Sequence, residues 1–166
     1  ATLLHNADMA MYQAKVGELG VQLFETGDHE VAPARHSLLA ELSGALEHDQ
    51  LFLEYQPRVD LVSGEILAVE ALVRWDHPRL GVVEPGRFMP LAEHSELIDE
   101  LTARICRLAI EQCRLWSLSG LAVGVAINAS ARNLHDLRFP ATLASWIEEA
   151  GVDPRLIEIE ITEHTM

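Results

Sequence analysis

The chain has 166 residues, about half of them hydrophobic, and carries 26 acidic against 12 basic side chains, a formal net charge of −14. This size and composition exclude a disordered chain and allow one ordinary hydrophobic core. The acidic balance argues against a polymeric nucleic acid or an anionic membrane as partner, because both attract an excess of basic residues. No apolar run approaches the roughly 18 residues of a membrane span, and no cleavable signal pattern is present. Membrane insertion is therefore not expected, and a cytoplasmic location is the default expectation.

The first 36 residues are expected to lie outside the main domain. Residues 1–15 have the apolar spacing of an amphipathic helix, and residues 21–24 are expected to form a short strand. Residues 25–36 are polar and include Gly27 and Pro33, which indicates a linker. The sequence therefore predicts a boundary here, followed by one domain over residues 37–166.

Helices and strands are predicted to alternate after the linker. Helices are expected over 37–48, 88–95, 98–118 and 140–150, and strands over 51–56, 66–76, 121–130 and 156–163, with a loop over 81–85. A short turn around Ser63-Gly64 joins the first two strands, which favours an antiparallel pair. The later order of strand, helix, strand, helix, strand indicates a parallel sheet with right-handed crossovers.

The predicted strand over 66–76 has two different faces. Because side chains alternate along a strand, one face is entirely apolar, whereas the other includes Glu70 and Arg74. A buried charge without a partner costs several kcal/mol. The strand is therefore expected to end in a polar site, a metal site or an internal ion pair.

The other strands repeat this division into a bulky apolar face and a small or polar face. An open sheet between two layers of helices would need two apolar faces, so a (β/α) barrel with active residues at the carboxyl ends of its strands fits better. Eight strands need about 250 residues, and only four are predicted here. The expected fold class is α/β, a partial TIM-like (β/α) barrel truncated after about four strands.

Glu70, Asn128 and Glu160 each lie on the polar face of a predicted strand, near its carboxyl end. Two carboxylates and a carboxamide are hard oxygen ligands, which suit Mg²⁺, Mn²⁺ or Ca²⁺ better than zinc. The same pattern allows another interpretation, in which Glu70 pairs with Arg74, Asn128 caps a loop and Glu160 lies in a solvated rim. Spacing alone leaves both interpretations open.

Five motifs in order resemble those of the EAL domain, a bacterial phosphodiesterase specific for cyclic di-GMP. They are Tyr55-Gln56-Pro57 with Val59-Asp60-Leu61, Glu70-Ala71-Leu72, Phe88-Met89-Pro90-Leu91-Ala92-Glu93, Ile127-Asn128-Ala129-Ser130 and Glu160-Ile161-Thr162-Glu163. The resemblance covers residues 37–166. Residues 1–24 are similar to the end of a GGDEF diguanylate cyclase domain, through Ala7-Asp8-Met9-Ala10-Met11-Tyr12-Gln13-Ala14-Lys15.

The resemblance implies a barrel of the EAL type with one initial antiparallel strand. It implies that Glu70, Asn128 and Glu160 are catalytic ligands of Mg²⁺ or Mn²⁺, and that Glu163 supports a loop carrying further ligands. Gln56 and Leu72 would line the substrate groove, and Arg74 would contact a phosphate of cyclic di-GMP. The implied reaction is metal-dependent hydrolysis to linear pGpG in second-messenger signalling.

The resemblance also implies an Asp-Asp pair, a Lys, a further Glu and a final Gln downstream of Met166. A longer parent protein is therefore expected to hydrolyse cyclic di-GMP, and the 166-residue chain alone is expected to be inactive. Two alternatives remain: a receptor that binds cyclic di-GMP without cutting it, and a structural or regulatory fragment. An exposed strand edge at 156–163 favours homodimers or higher association.

Overall fold

The computed structural model describes residues 28–162, with the side chains of all of them except residues 28–37, Ala131, Leu134 and Thr162. The predicted helix over 1–15, the strand over 21–24, the GGDEF-like stretch and Glu163 lie outside the described residues. Contacts divide the chain into two compact units, Ala1–Leu42 and Ser43–Met166. The strands that the structure describes between residues 28 and 162 all belong to the second unit.

The described residues alternate between helices and strands, which confirms the predicted α/β class. The helices are α1 (Asp28–Glu47), α2 (Pro85–Glu93), α3 (Leu97–Leu118), α4 (Ala131–His135) and α5 (Phe139–Ala150). The strands are β1 (Leu51–Val59), β2 (Ile66–His77), β3 (Gly81–Val83), β4 (Gly124–Ser130) and β5 (Ile157–Thr162), and a 3₁₀ turn at Pro154–Leu156 precedes β5.

The strands form one sheet in the order β1-β2-β4-β5, with β3 paired to β2. The predicted antiparallel pair of β1 and β2 is confirmed, and β2, β4 and β5 run parallel to one another, as predicted. Trp75 pairs with both Leu51 and Val83, so β1 and β3 lie on opposite edges of β2. The carboxyl ends of the three parallel strands therefore meet at one edge of the sheet.

One face of the sheet is apolar and contacts helices. Its buried side chains alternate along the strands, as predicted, and are Val69, Ala71, Val73, Trp75, Val125, Ile127 and Ala129. Helix α3 contributes a buried stripe at helical spacing that includes the free thiols of Cys106 and Cys113. Burial raises the pKa of Cys106 to about 12, so this thiol stays protonated and behaves as a small apolar side chain.

Helix α1 begins earlier than predicted. It starts at Asp28, so residues 28–36, predicted as linker, are helical and include Pro33. Pro33 is the sixth residue of this helix, where it removes one backbone i→i−4 hydrogen bond.

Several strand boundaries also differ from the prediction. Strand β4, predicted over 121–130, begins at Gly124. Strand β1 continues through Pro57 to Val59, which is possible because an edge strand tolerates a residue without an N–H donor. Residues 81–83, predicted as loop, form β3. The preceding turn is held by His77, whose Nδ1 accepts hydrogen bonds from the backbone N–H groups of Arg79 and Leu80, at 3.1 and 3.3 Å. Gly81 adopts φ +67°, a conformation that favours glycine.

Candidate active site on the polar face of the sheet

The strand register places polar side chains from four strands on the face opposite the helices. Gln56 pairs with Glu70, Glu70 with Ala126, and Asn128 with Glu160. Paired residues of adjacent strands lie on the same side of a sheet. We call this side the polar face; by the same alternation it includes Leu72 and Arg74.

Glu70 and Asn128 are in direct contact. The amide nitrogen of Asn128 donates a hydrogen bond to Glu70 Oε1 at 2.7 Å, in a partly buried position. This contact joins β2 to β4 and leaves Asn128 Oδ1 as an acceptor. Within residues 28–162, Glu70 has no ion-pair partner. The alternative interpretation that paired Glu70 with Arg74 is therefore wrong.

Arg74 instead lies between two other carboxylates. Its Nε is 2.9 Å from Glu54 Oε2 and 3.4 Å from Glu84 Oε2, and its side chain is only 12% exposed. Its Nη1 also donates to the carbonyl oxygen of Val73 at 2.9 Å. These contacts hold the guanidinium in one orientation near the carboxyl end of β2. Neither Glu54 nor Glu84 was predicted from the sequence as part of the site, although the alternation along β1 puts Glu54 on the same face as Gln56.

Glu160 has a cationic neighbour on the same face, from the strand at the other end of the strand order. Arg58 Nη1 lies 2.8 Å from Glu160 Oε1 and 3.1 Å from Glu158 Oε2. Arg58 belongs to β1 and both glutamates belong to β5, the two ends of the strand order. Three strand spacings of about 4.8 Å would separate those strands by roughly 14 Å in a flat sheet. The contact therefore indicates that the sheet curves toward the polar face.

A buried polar network holds the backbone that follows Asn128. Asn133 Oδ1 accepts hydrogen bonds from the Ser130 backbone N–H at 3.1 Å and from Thr102 Oγ1 at 2.9 Å. Asn133 Nδ2 donates to Asp99 Oδ1 at 3.0 Å. Ser130 caps helix α4, so the carboxyl end of β4 is tied to α3. Neither Asn133 nor α4 was predicted from the sequence, although Ser130-x-x-Asn133 resembles a capping box.

Replacing Asn133 with Ala is expected to lower the free energy of unfolding by about 2–3 kcal/mol. The substitution leaves the Ser130 N–H and the Thr102 hydroxyl buried without their acceptor. Urea denaturation followed by circular dichroism measures the loss. Thr102→Val is the matched control, because it removes one hydrogen bond and keeps the helix cap, for an expected loss of about 1 kcal/mol. Equal losses in the two variants would contradict a structural role for the cap.

The donor atoms of Glu70, Asn128 and Glu160 fit a hard divalent cation, which prefers carboxylate and amide oxygens. No group of three His, Cys, Asp or Glu side chains that could hold a metal occurs in the part of the chain that the structure describes. The candidate set therefore depends on the carboxamide of Asn128. It also requires that the Glu160 carboxylate bind the cation while it contacts Arg58.

Comparison with protein families identifies the domain. The model of the EAL domain matches residues 39–166. The bifunctional diguanylate cyclase/cyclic di-GMP phosphodiesterase MucR of Pseudomonas aeruginosa is 38% identical over 165 residues, which are 98% of this chain and 24% of MucR. The cyclic di-GMP phosphodiesterase NbdA of the same organism is 37% identical over 166 residues, covering 99% of this chain and 21% of NbdA. The chain thus spans about a quarter or less of the length of these relatives.

A solved structure has the same arrangement of strands and helices. The PaMucR phosphodiesterase in complex with c-di-GMP superposes with a TM-score of 0.73 at 37% sequence identity. The match covers 76% of this chain and 52% of that structure. The fold, the order of the sequence motifs and the family match all indicate an EAL domain over the residues that form the polar face. The chain belongs to the EAL domain family.

Proposed function

We propose that this protein is a cyclic di-GMP phosphodiesterase, which hydrolyses the cyclic dinucleotide to linear pGpG in bacterial second-messenger signalling. The observation that carries the proposal is the contact of Glu70 with Asn128, beside Glu160 in register, on the polar face of an EAL domain. The names of MucR and NbdA, both cyclic di-GMP phosphodiesterases, support the same reaction.

Glu70, Asn128 and Glu160 are the proposed ligands of Mg²⁺ or Mn²⁺. A bound divalent cation would supply activation of water and neutralisation of phosphoryl oxygens. Glu70 and Glu160 contribute the negative charge of the site, and the Asn128 amide holds Glu70 in one orientation. We propose that Glu163, the first residue after β5, supports a neighbouring loop rather than contributing a ligand.

Gln56, Leu72 and Arg74 are the proposed substrate contacts. Gln56 pairs with Glu70 in the register, and Leu72 and Arg74 follow Glu70 along the same face of β2. The proposed groove therefore runs over the carboxyl half of β2, next to the metal ligands. Arg74 presents a planar guanidinium already oriented by Glu54 and Glu84, which suits recognition of a phosphate.

Arg74→Lys is expected to weaken the binding of cyclic di-GMP by about tenfold, because an ammonium cannot reproduce the two-point contact of a guanidinium. Isothermal titration calorimetry on the protein at its full natural length, with a chelator present to block turnover, measures the affinity. Arg155→Lys is the matched control, since Arg155 is an exposed arginine paired with Asp153. Unchanged affinity of the Arg74→Lys variant would exclude Arg74 as a phosphate contact.

We further propose that the sheet is part of a TIM-like barrel in which β1 is the initial antiparallel strand. The apolar helix-covered face and the curvature toward the polar face support this proposal.

Residues 1–24 are proposed to be the end of a GGDEF domain, because the alignment with the bifunctional MucR extends over 98% of the chain. Self-association and a cytoplasmic location are proposed as well. Within residues 28–162, no helix is both long and apolar enough to cross a membrane.

The test uses the protein at its full natural length, incubated with cyclic di-GMP and either Mg²⁺ or Mn²⁺. Chromatography is expected to show conversion to pGpG, and a chelator is expected to stop it. Binding without product under both metals would favour the receptor alternative. A protein that neither binds nor converts the dinucleotide would leave the structural or regulatory alternative.

A further inference from the structure

Arg58, Glu158 and Glu160 form an ion cluster that joins the outer strands β1 and β5. A single atom, Arg58 Nη1, contacts Glu160 Oε1 at 2.8 Å and Glu158 Oε2 at 3.1 Å. The side chains of Arg58, Glu158 and Glu160 are 47%, 56% and 34% exposed, so Glu160 is the most enclosed of the three. We call these three residues the outer-strand cluster.

Small side chains beneath Arg58 make this contact possible. Arg58 pairs with Ala68 on β2, and Ala68 pairs with Gly124 on β4. Further along the same face, Glu158 on β5 pairs with Ala126 on β4. The side chains between Arg58 and the two glutamates are therefore small: Ala68, Gly124 and Ala126. A long side chain such as that of Arg58 can extend over them, across the two central strands.

We propose that Arg58 is a positioning residue for Glu160, which it holds in the orientation needed to bind a divalent cation. The proposal rests on the proposed function of Glu70, Asn128 and Glu160 as metal ligands. Arg58 engages Oε1 of Glu160 and leaves Oε2 available. Glu158 balances the guanidinium charge, so that the positive charge of Arg58 is compensated near a bound cation.

The physical basis is the cost of ordering a flexible ligand. A free glutamate side chain loses rotamer freedom when it binds a metal, whereas a hydrogen-bonded carboxylate has already lost it. Ligating carboxylates are in turn hydrogen-bonded in metal sites, and loss of such a partner typically weakens metal affinity by tenfold or more. Arg58 supplies that partner from a strand that carries no proposed metal ligand.

The test is the affinity for Mn²⁺ alone, measured by isothermal titration calorimetry on the full natural protein without nucleotide. Arg58→Met is expected to weaken Mn²⁺ binding by about tenfold. Arg58→Lys is expected to restore most of the affinity, because an ammonium on a stem of similar length reaches the same oxygen. Arg114→Met is the matched control: it removes an arginine of similar exposure that pairs with Glu111 on α3, and its Mn²⁺ affinity is expected to equal that of the wild type.

Each outcome bears on a different claim. If the wild type binds Mn²⁺ and Arg58→Met binds it equally well or more tightly, Arg58 does not position Glu160, and the metal site stands. If the wild type binds no Mn²⁺, both the metal site and the role of Arg58 are overturned. Arg58→Gln, whose side chain is too short to reach β5, is the second variant in case Arg58→Met does not fold, with the same expected loss.

Discussion

In the protein at its full natural length, the Glu70→Gln variant is expected to lower kcat/KM for cyclic di-GMP by about a thousandfold, a change of roughly 4 kcal/mol in transition-state stabilisation. Glutamine keeps the shape of the side chain and an oxygen that can accept the 2.7 Å hydrogen bond from Asn128. The lost property is the negative charge, on which binding of the cation depends. Rates of pGpG formation at saturating Mn²⁺ measure the effect.

Glu111→Gln is the control for Glu70→Gln. Glu111 lies on α3 and pairs with Arg114, so its charge is removed far from the polar face. Its activity is expected to match that of the wild type. Circular dichroism of Glu70→Gln is expected to show an unchanged fold. Activity of Glu70→Gln within tenfold of the wild type would rule out Glu70 as a metal ligand.

The Trp75→Ala variant is expected to lose about 4 kcal/mol of stability, the largest effect expected for a single core substitution in this domain. Trp75 is 0% exposed on the helix-covered face, and its ring lies 4.8 Å from the His77 ring and 5.8 Å from the Phe88 ring. Its indole N–H donates to Gln50 Oε1 at 3.2 Å. Alanine would leave a cavity among these groups. Urea denaturation of the wild type and the variant gives the difference.

Trp146→Ala is the comparison for Trp75→Ala. Trp146 is only partly buried on α5, where the Arg107 guanidinium lies 4.9 Å from its ring centre. Its removal is expected to lower the free energy of unfolding by about 2 kcal/mol, because less apolar area is lost from the core. A loss at Trp75 no larger than that at Trp146 would contradict the central place of Trp75 in the core.

Local patterns were sufficient to predict most of the secondary structure. The alternation over residues 66–76 predicted an apolar face and a face with Glu70 and Arg74, and the register confirms both. The same alternation placed Asn128 and Glu160 on the polar face. The earlier start of α1 and the short strand β3 were not predicted. A proline interrupts the periodic signal at the start of α1, and three residues are too few to show the alternation of a strand.

Pairing between side chains required the tertiary structure. The sequence allowed Glu70 to pair with Arg74. In the structure, Glu70 accepts a hydrogen bond from Asn128. Arg74 forms ion pairs with Glu54 and Glu84 instead. The contact of Arg58 with Glu160 spans 102 positions along the chain and depends on the strand order and the curvature of the sheet. Side-chain direction follows from a local period of two residues, so the sequence by itself determined which residues share a face. Distances across that face depend on register and curvature, which long-range packing sets, and only the tertiary structure decided them.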